Sequence, residues 1–99
     1  MRRLMKASNY AARAVAILEE RGKEHGDFNK LFDDMGSLFS FILSNKLKDD
    51  ITPYEAALLM VALKLARIQQ KGAGTQDSIL DAIGYLSIAG ALYEKENKS

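Results

Sequence analysis

Apolar positions recur with a helical period along nearly the whole chain. Between residues 8 and 23, Ala11, Ala14, Val15 and Leu18 follow the i, i+3, i+4, i+7 spacing of one buried stripe. Ser8 stands where an N-cap belongs, and Gly22 and Gly26 bracket the exit. A second helix is predicted over about 27–44, with Asp27 as its cap. Its broad apolar face includes Phe28, Phe32, Met35, Phe39 and Ile42. The polar run 45–50 then connects to the clearest start signal in the sequence, Thr52-Pro53-Tyr54-Glu55. A capping threonine, a proline at the first helical position and a glutamate at the third define a capping box. That third helix should reach about residue 71, where Gly72-Ala73-Gly74 ends it, and a fourth should run from Thr75 or Asp77 to about residue 94. Strands are expected nowhere.

Four helices joined by short loops imply an all-α fold, a four-helix antiparallel bundle forming one domain over 1–99. The core should lie within about 8–94, with a frayed tail at 95–99. The fourth helix is apolar on almost every side, through Ile79, Leu80, Ile83, Leu86, Ile88 and Leu92. Three neighbours in a chain this small can hardly cover such a helix, so the pattern points to a homo-oligomer.

Composition narrows the chemistry. The chain has 99 residues, no Cys, one His, and 14 Lys+Arg against 13 Asp+Glu, for a formal charge of +1. Thiolate nucleophiles, Cys-ligated metals and disulfide scaffolds are thereby excluded, and histidine-based triads are left with a single candidate, His25. Near-neutrality gives no bulk attraction for nucleic acid or anionic lipid. Neither double-stranded DNA nor a membrane is an expected partner, because there is no recognition helix, no membrane-length apolar run and no signal-peptide pattern. The expected location is the cytoplasm, that of the host if the chain is phage-encoded. Phosphate-binding loops and zinc motifs are absent.

Charge is nevertheless unevenly placed. On a helical wheel Met60, Lys64, Arg67 and Lys71 share one face of the third helix, opposite Glu55, Leu59, Ala62 and Ala66. A solvated cationic face is one reading. The other is an anion site with Lys64 and Arg67 at its centre, since three cations without interleaved acids repel one another. In the fourth helix Asp77, Asp81, Gly84 and Tyr85 share a face. Asp77 suits an N-cap. Asp81, a carboxylate among Ile, Leu and Ala, needs a partner: an ion pair with Arg67, Lys64 or a base on the first helix, or a place in a ligand site. Tyr10 and Arg13 lie off the first helix's apolar stripe, free to meet a ligand, a subunit or solvent. His25 lies in the connection 21–28, which the glycines and Asp27 otherwise explain as a turn.

The ordered set Arg21-Gly22, His25-Gly26-Asp27-Phe28, Ile51-Thr52-Pro53, Met60, Lys64, Ala66, Arg67 and Asp77-Ser78-x-x-Asp81-x-x-Gly84-Tyr85 resembles a family of small phage and prophage proteins of uncharacterised function. That family is in turn distantly similar to the MazG-like all-α nucleoside triphosphate pyrophosphatases, and the resemblance covers about residues 17–92. It implies a helical oligomer that handles a nucleotide. If the enzymatic chemistry persists, Glu55, Asp77 and Asp81 would hold Mg²⁺. The departures are specific: Ser78 occupies an acidic position of the MazG pattern, Asp77 sits one residue early, and no ExxE pair stands in the third helix.

Three functional expectations follow. The first is a binder of a nucleotide-like phosphate ligand with little or no turnover and no cofactor, sequestering a host defence signal. Its contacts would be Tyr10, Arg13, His25, Lys64, Arg67, Lys71, Asp81 and Tyr85. The second is a divergent Mg²⁺-dependent pyrophosphatase. The third is a protein-binding inhibitor of a host defence component, using Tyr54, Phe41 and the fourth helix.

Overall fold

The computed structural model describes residues 6–25, 28–70 and 72–97, with the side chains of residues 24 and 25 outside that description. Four helices follow in order: α1 (Ala7–His25), α2 (Phe28–Ile42), α3 (Pro53–Gln70) and α4 (Thr75–Glu96). The described residues contain no strand.

Local chemistry sets the ends. At α3 the capping box forms as its sequence dictates: the Thr52 N–H donates to Glu55 Oε1 at 3.0 Å, and the Glu55 N–H donates to Thr52 Oγ1 at 3.1 Å. At α1 the helix begins at Ala7, so Ser8 lies inside the first turn instead of capping it. The Asn9 side chain turns back to accept the Lys6 N–H at 3.0 Å. At α4 the cap is Gly74, left-handed at φ 95°, with no side-chain capping bond. Asp77 therefore sits within the first turn instead of capping it. The end of α4 is also longer than expected. Lys95 and Glu96 are helical, and Asn97 donates from both its backbone N–H and its side chain to the Tyr93 carbonyl. The expected cap Asp27 lies outside the described residues.

The α3–α4 hairpin is the centre of the molecule, with α2 lying on α3 and α1 on α4. Phe32, Ala56, Ala57, Ala89 and Leu92 form the buried cluster. Alanines on both hairpin helices allow the close approach, and Phe32 of α2 fills the remaining volume. At the open end of the hairpin, Glu96 accepts the Tyr54 N–H at 2.9 Å, and the rings of Tyr54 and Tyr93 pack edge-on at 5.5 Å. The α2–α3 connection is pinned to α2. Ser40 Oγ accepts the Ile51 N–H at 2.7 Å and donates to the Gly36 carbonyl at 2.7 Å. A Cβ at position 36 would stand 2.8 Å from the Ile51 carbonyl oxygen, so this approach requires glycine.

Two expectations are corrected. First, the helices do not alternate throughout in an antiparallel bundle. Tyr10 and Arg13 meet Gln76, Leu18 lies over Gly84, and Arg21 meets Asp81, so α1 runs in the same direction as α4. The result is elongated, 53 × 30 × 25 Å, with a radius of gyration of 15.2 Å. A compact chain of this length would have about 13 Å.

Second, α3 is turned the opposite way from its wheel. Met60 and Lys64 are half-buried on the inner side, while Leu59 is 45% and Leu63 44% exposed and Ala62 and Ala66 face outward. Ala56 and Ala57 in the buried cluster and the pairing of Lys64 with Asp81 on α4 favour this orientation. The α4 helix, expected to need a second subunit to cover it, is flanked within the chain by α1 and α3. Leu86 of α4 remains exposed, but most of the uncovered apolar surface lies on α2 and α3, with Phe41 78% exposed.

Candidate functional site

Asp81, on the half-buried side of α4, is held from two directions. Lys64 Nζ on α3 lies 3.0 Å from Asp81 Oδ2, and Arg21 Nη2 on α1 lies 3.5 Å from Oδ1. The Lys64 and Asp81 side chains are 15% and 18% exposed, whereas Arg21 is more open. Desolvation makes a lone carboxylate costly there, and Lys64 answers that cost with an ion pair. One acid thus ties three helices together.

The second concentration of polar groups lies at the α3–α4 turn. Gly72, Ala73, Gly74 and Thr75 are shared by two hollows. The larger, about 410 Å³, is closed on one side by Tyr10, Gln76 and Ile79. The smaller, about 150 Å³, is closed by Arg67, Gln70 and Ser78. Thr75 Oγ1 stabilises the turn, accepting the Gly72 N–H at 3.2 Å and donating to the Gly72 carbonyl at 2.9 Å. Across the larger hollow, Arg13 donates to Gln76 Oε1 at 3.3 Å, and Gln76 Nε2 donates to Tyr10 Oη at 3.4 Å. The turn therefore presents the uncapped start of α4, a site that favours anions. An arginine stands on one side and a tyrosine on the other. Among the described residues Arg67 has no ion-pair partner, and exposed Asp77 lies in the same first turn.

The candidate residues accordingly divide. Tyr10, Arg13 and Arg67 gather at the turn. Lys64 and Asp81 neutralise each other beside it. Tyr85 packs edge-on against Phe32 at 6.2 Å and belongs to the core's margin. Lys71 and the His25 side chain lie outside the described residues. Gln76 and Ser78 were not singled out as contacts from sequence. Gln76 is an ordinary polar residue whose role depends on where α1 lies. Ser78 is buried.

The metal set does not assemble. Glu55 is engaged in the α3 capping box, at the end of the hairpin closed by Tyr93 and Glu96. Asp77 is at the other end, some 16 residues of α4 away from Tyr93, or about 24 Å at 1.5 Å per residue. Asp81 is already paired with Lys64 and Arg21. Among the described residues no three carboxylate or imidazole groups lie close enough to hold an ion. These donors do not fit Mg²⁺, and no hydrolytic step can be drawn through them.

No helix among the described residues is long and apolar enough to cross a membrane. No solved structure matches the chain. Its sequence is similar to that of the Gene 55 protein of Mycobacterium phage D29, at 35% identity over 77 residues, which is 77% of this chain and 47% of that protein. The chain thus spans about half the length of the curated relative it matches. Residues 9–93, reaching into all four helices, match the family described as Domain of unknown function (DUF6378), and the chain belongs to that family.

Proposed function

We propose that the chain binds a phosphate-bearing small ligand, of nucleotide type, at the α3–α4 turn and does not turn it over. One observation carries this reading: the two hollows flank the same uncapped helix start, with Arg67 on one side and Tyr10 on the other. A guanidinium offers a planar fork to phosphate, and a phenol ring offers a face to a base. Gly74 at φ 95° lets the backbone amides approach an anion without an intervening side chain. The sequence expectation placed Lys64 beside Arg67 in this role. With Lys64 committed to Asp81, Arg67 carries the charge. Binding without hydrolysis is supported by the other engagements of Glu55 and Asp81. The phage relative supports a setting in the host cytoplasm, where a small binder of this kind would act by sequestering a signal nucleotide.

Calorimetry and thermal shift with linear and cyclic nucleotides, pyrophosphate and inorganic phosphate test the proposal. At least one should bind saturably, more weakly to Arg67→Ala and more tightly to Asp77→Asn, which removes a like charge beside the anion. The absence of any shift across the panel would overturn it.

A further inference from the structure

The outward face of α3 has no counterpart inside the chain. Leu58, Leu59, Ala62, Leu63, Leu65 and Ala66 are all exposed, and none of them carries a charge. On α2 the exposed apolar residues are flanked by the Lys30–Asp34 ion pair and Asp33, so that helix already has a polar border. The α3 face meets polar residues at its two ends, Glu55 at the start and Arg67, Gln69 and Gln70 at the finish. The chain exposes 7716 Å² in all. A compact monomer of its mass would expose about 5,600 Å². Part of that excess, about 2,000 Å² over the whole chain, comes from the elongated shape, and the uncharged α3 face is a part that a second copy can cover.

We propose that α3 pairs antiparallel with α3 of a second copy of this chain, about a two-fold axis passing between Ala62 and Leu63. In that arrangement the face is complementary to itself. A two-fold axis there sets Leu63 of each copy opposite Ala62 of the other, and Leu59 opposite Ala66. A large side chain thus meets a small one in these two central layers. Glu55 falls opposite Gln70, where carboxylate and amide can hydrogen-bond at the rim. A parallel pairing would instead set Glu55 against Glu55 and align the two helix dipoles. The inward turn of Lys64 matters here as well: its pairing with Asp81 keeps two ammonium groups away from the axis. The inference does not depend on the ligand reading, because Tyr10 and the 72–75 turn contribute nothing to it and Arg67 meets only its edge, opposite Leu58.

The test uses the intact chain. Light scattering or sedimentation at tens of micromolar should give twice the 11.0 kDa chain mass. Leu63→Glu should return it to one chain mass, with helical circular dichroism kept. Because the sequence has no cysteine, single-cysteine variants report the geometry directly. Ala62→Cys, next to the axis, should be joined to its copy by a short bis-maleimide, and Glu55→Cys should not. Three results would overturn the proposal: a monomeric wild type, a dimer indifferent to Leu63→Glu, or linkage at position 55 equal to that at position 62.

Discussion

Lys64 and Asp81 meet at 3.0 Å across the α3–α4 interface, and both side chains are largely withdrawn from water. Removing one partner leaves the other's charge poorly solvated, with only the more exposed Arg21 at 3.5 Å to relieve Asp81. Lys64→Met should therefore destabilise the fold by about 1–3 kcal/mol, less than for a fully buried pair because some solvent reaches both groups. Adding Asp81→Leu to Lys64→Met should recover much of that loss. Denaturant unfolding of the two single variants and the double variant checks the coupling.

Two glycines in helices should respond oppositely to alanine. At Gly36 the new Cβ would stand 2.8 Å from the Ile51 carbonyl oxygen. Overpacking of about 1–3 kcal/mol should outweigh the gain in helix propensity of about 1 kcal/mol. Gly22 has nothing within 4 Å of the added atom. Gly22→Ala should raise stability by about 0.5–1 kcal/mol. Melting temperatures moving in opposite directions are the expected outcome.

Glu55 acts as a capping group. Glu55→Ala should cost about 1 kcal/mol, whereas Glu55→Gln should cost little because an amide serves the same box position. Mg²⁺ should leave the melting temperatures of both variants unchanged relative to wild type. A Mg²⁺-dependent stabilisation of wild type that is lost in Glu55→Gln would contradict this assignment.

Gln76 bridges Arg13 and Tyr10 of α1. Gln76→Ala should speed amide hydrogen exchange in α1 and leave the α3–α4 hairpin protected. Equal acceleration in all helices would mean that the bridge supports the whole fold.

What could be read in the sequence was what local chemistry decides. The Thr52-Pro53-Tyr54-Glu55 signal names both bonds that start α3, because each spans only three residues. Periodicity likewise located the four helices. It could not say which side of α3 turns inward, since Met60–Lys64 and Leu59–Leu63 both form coherent faces. That choice depends on Asp81, seventeen residues beyond Lys64 in a different helix. The direction of α1 was equally hidden, because it rests on contacts with Gln76, Asp81 and Gly84 that no local pattern encodes. The turn site was half visible. Gly72-Ala73-Gly74 marks a helix end and Arg67 a cation near it, but Tyr10 joins them only once α1 lies along α4.

The shared direction of α1 and α4 also bears on the order of assembly during synthesis. The α1 bonds to α4 join residues 60, 63 and 66 positions apart. The α2–α3 and α3–α4 contacts close over connections of roughly a dozen residues or fewer, and such local closures come early. Made before α4, α1 must wait until α4 has left the ribosome before its acceptors there exist. Until then Val15, Ile17 and Leu18 have no docking surface, and this is the interval in which a chaperone, or α4 of another nascent copy, would compete for them.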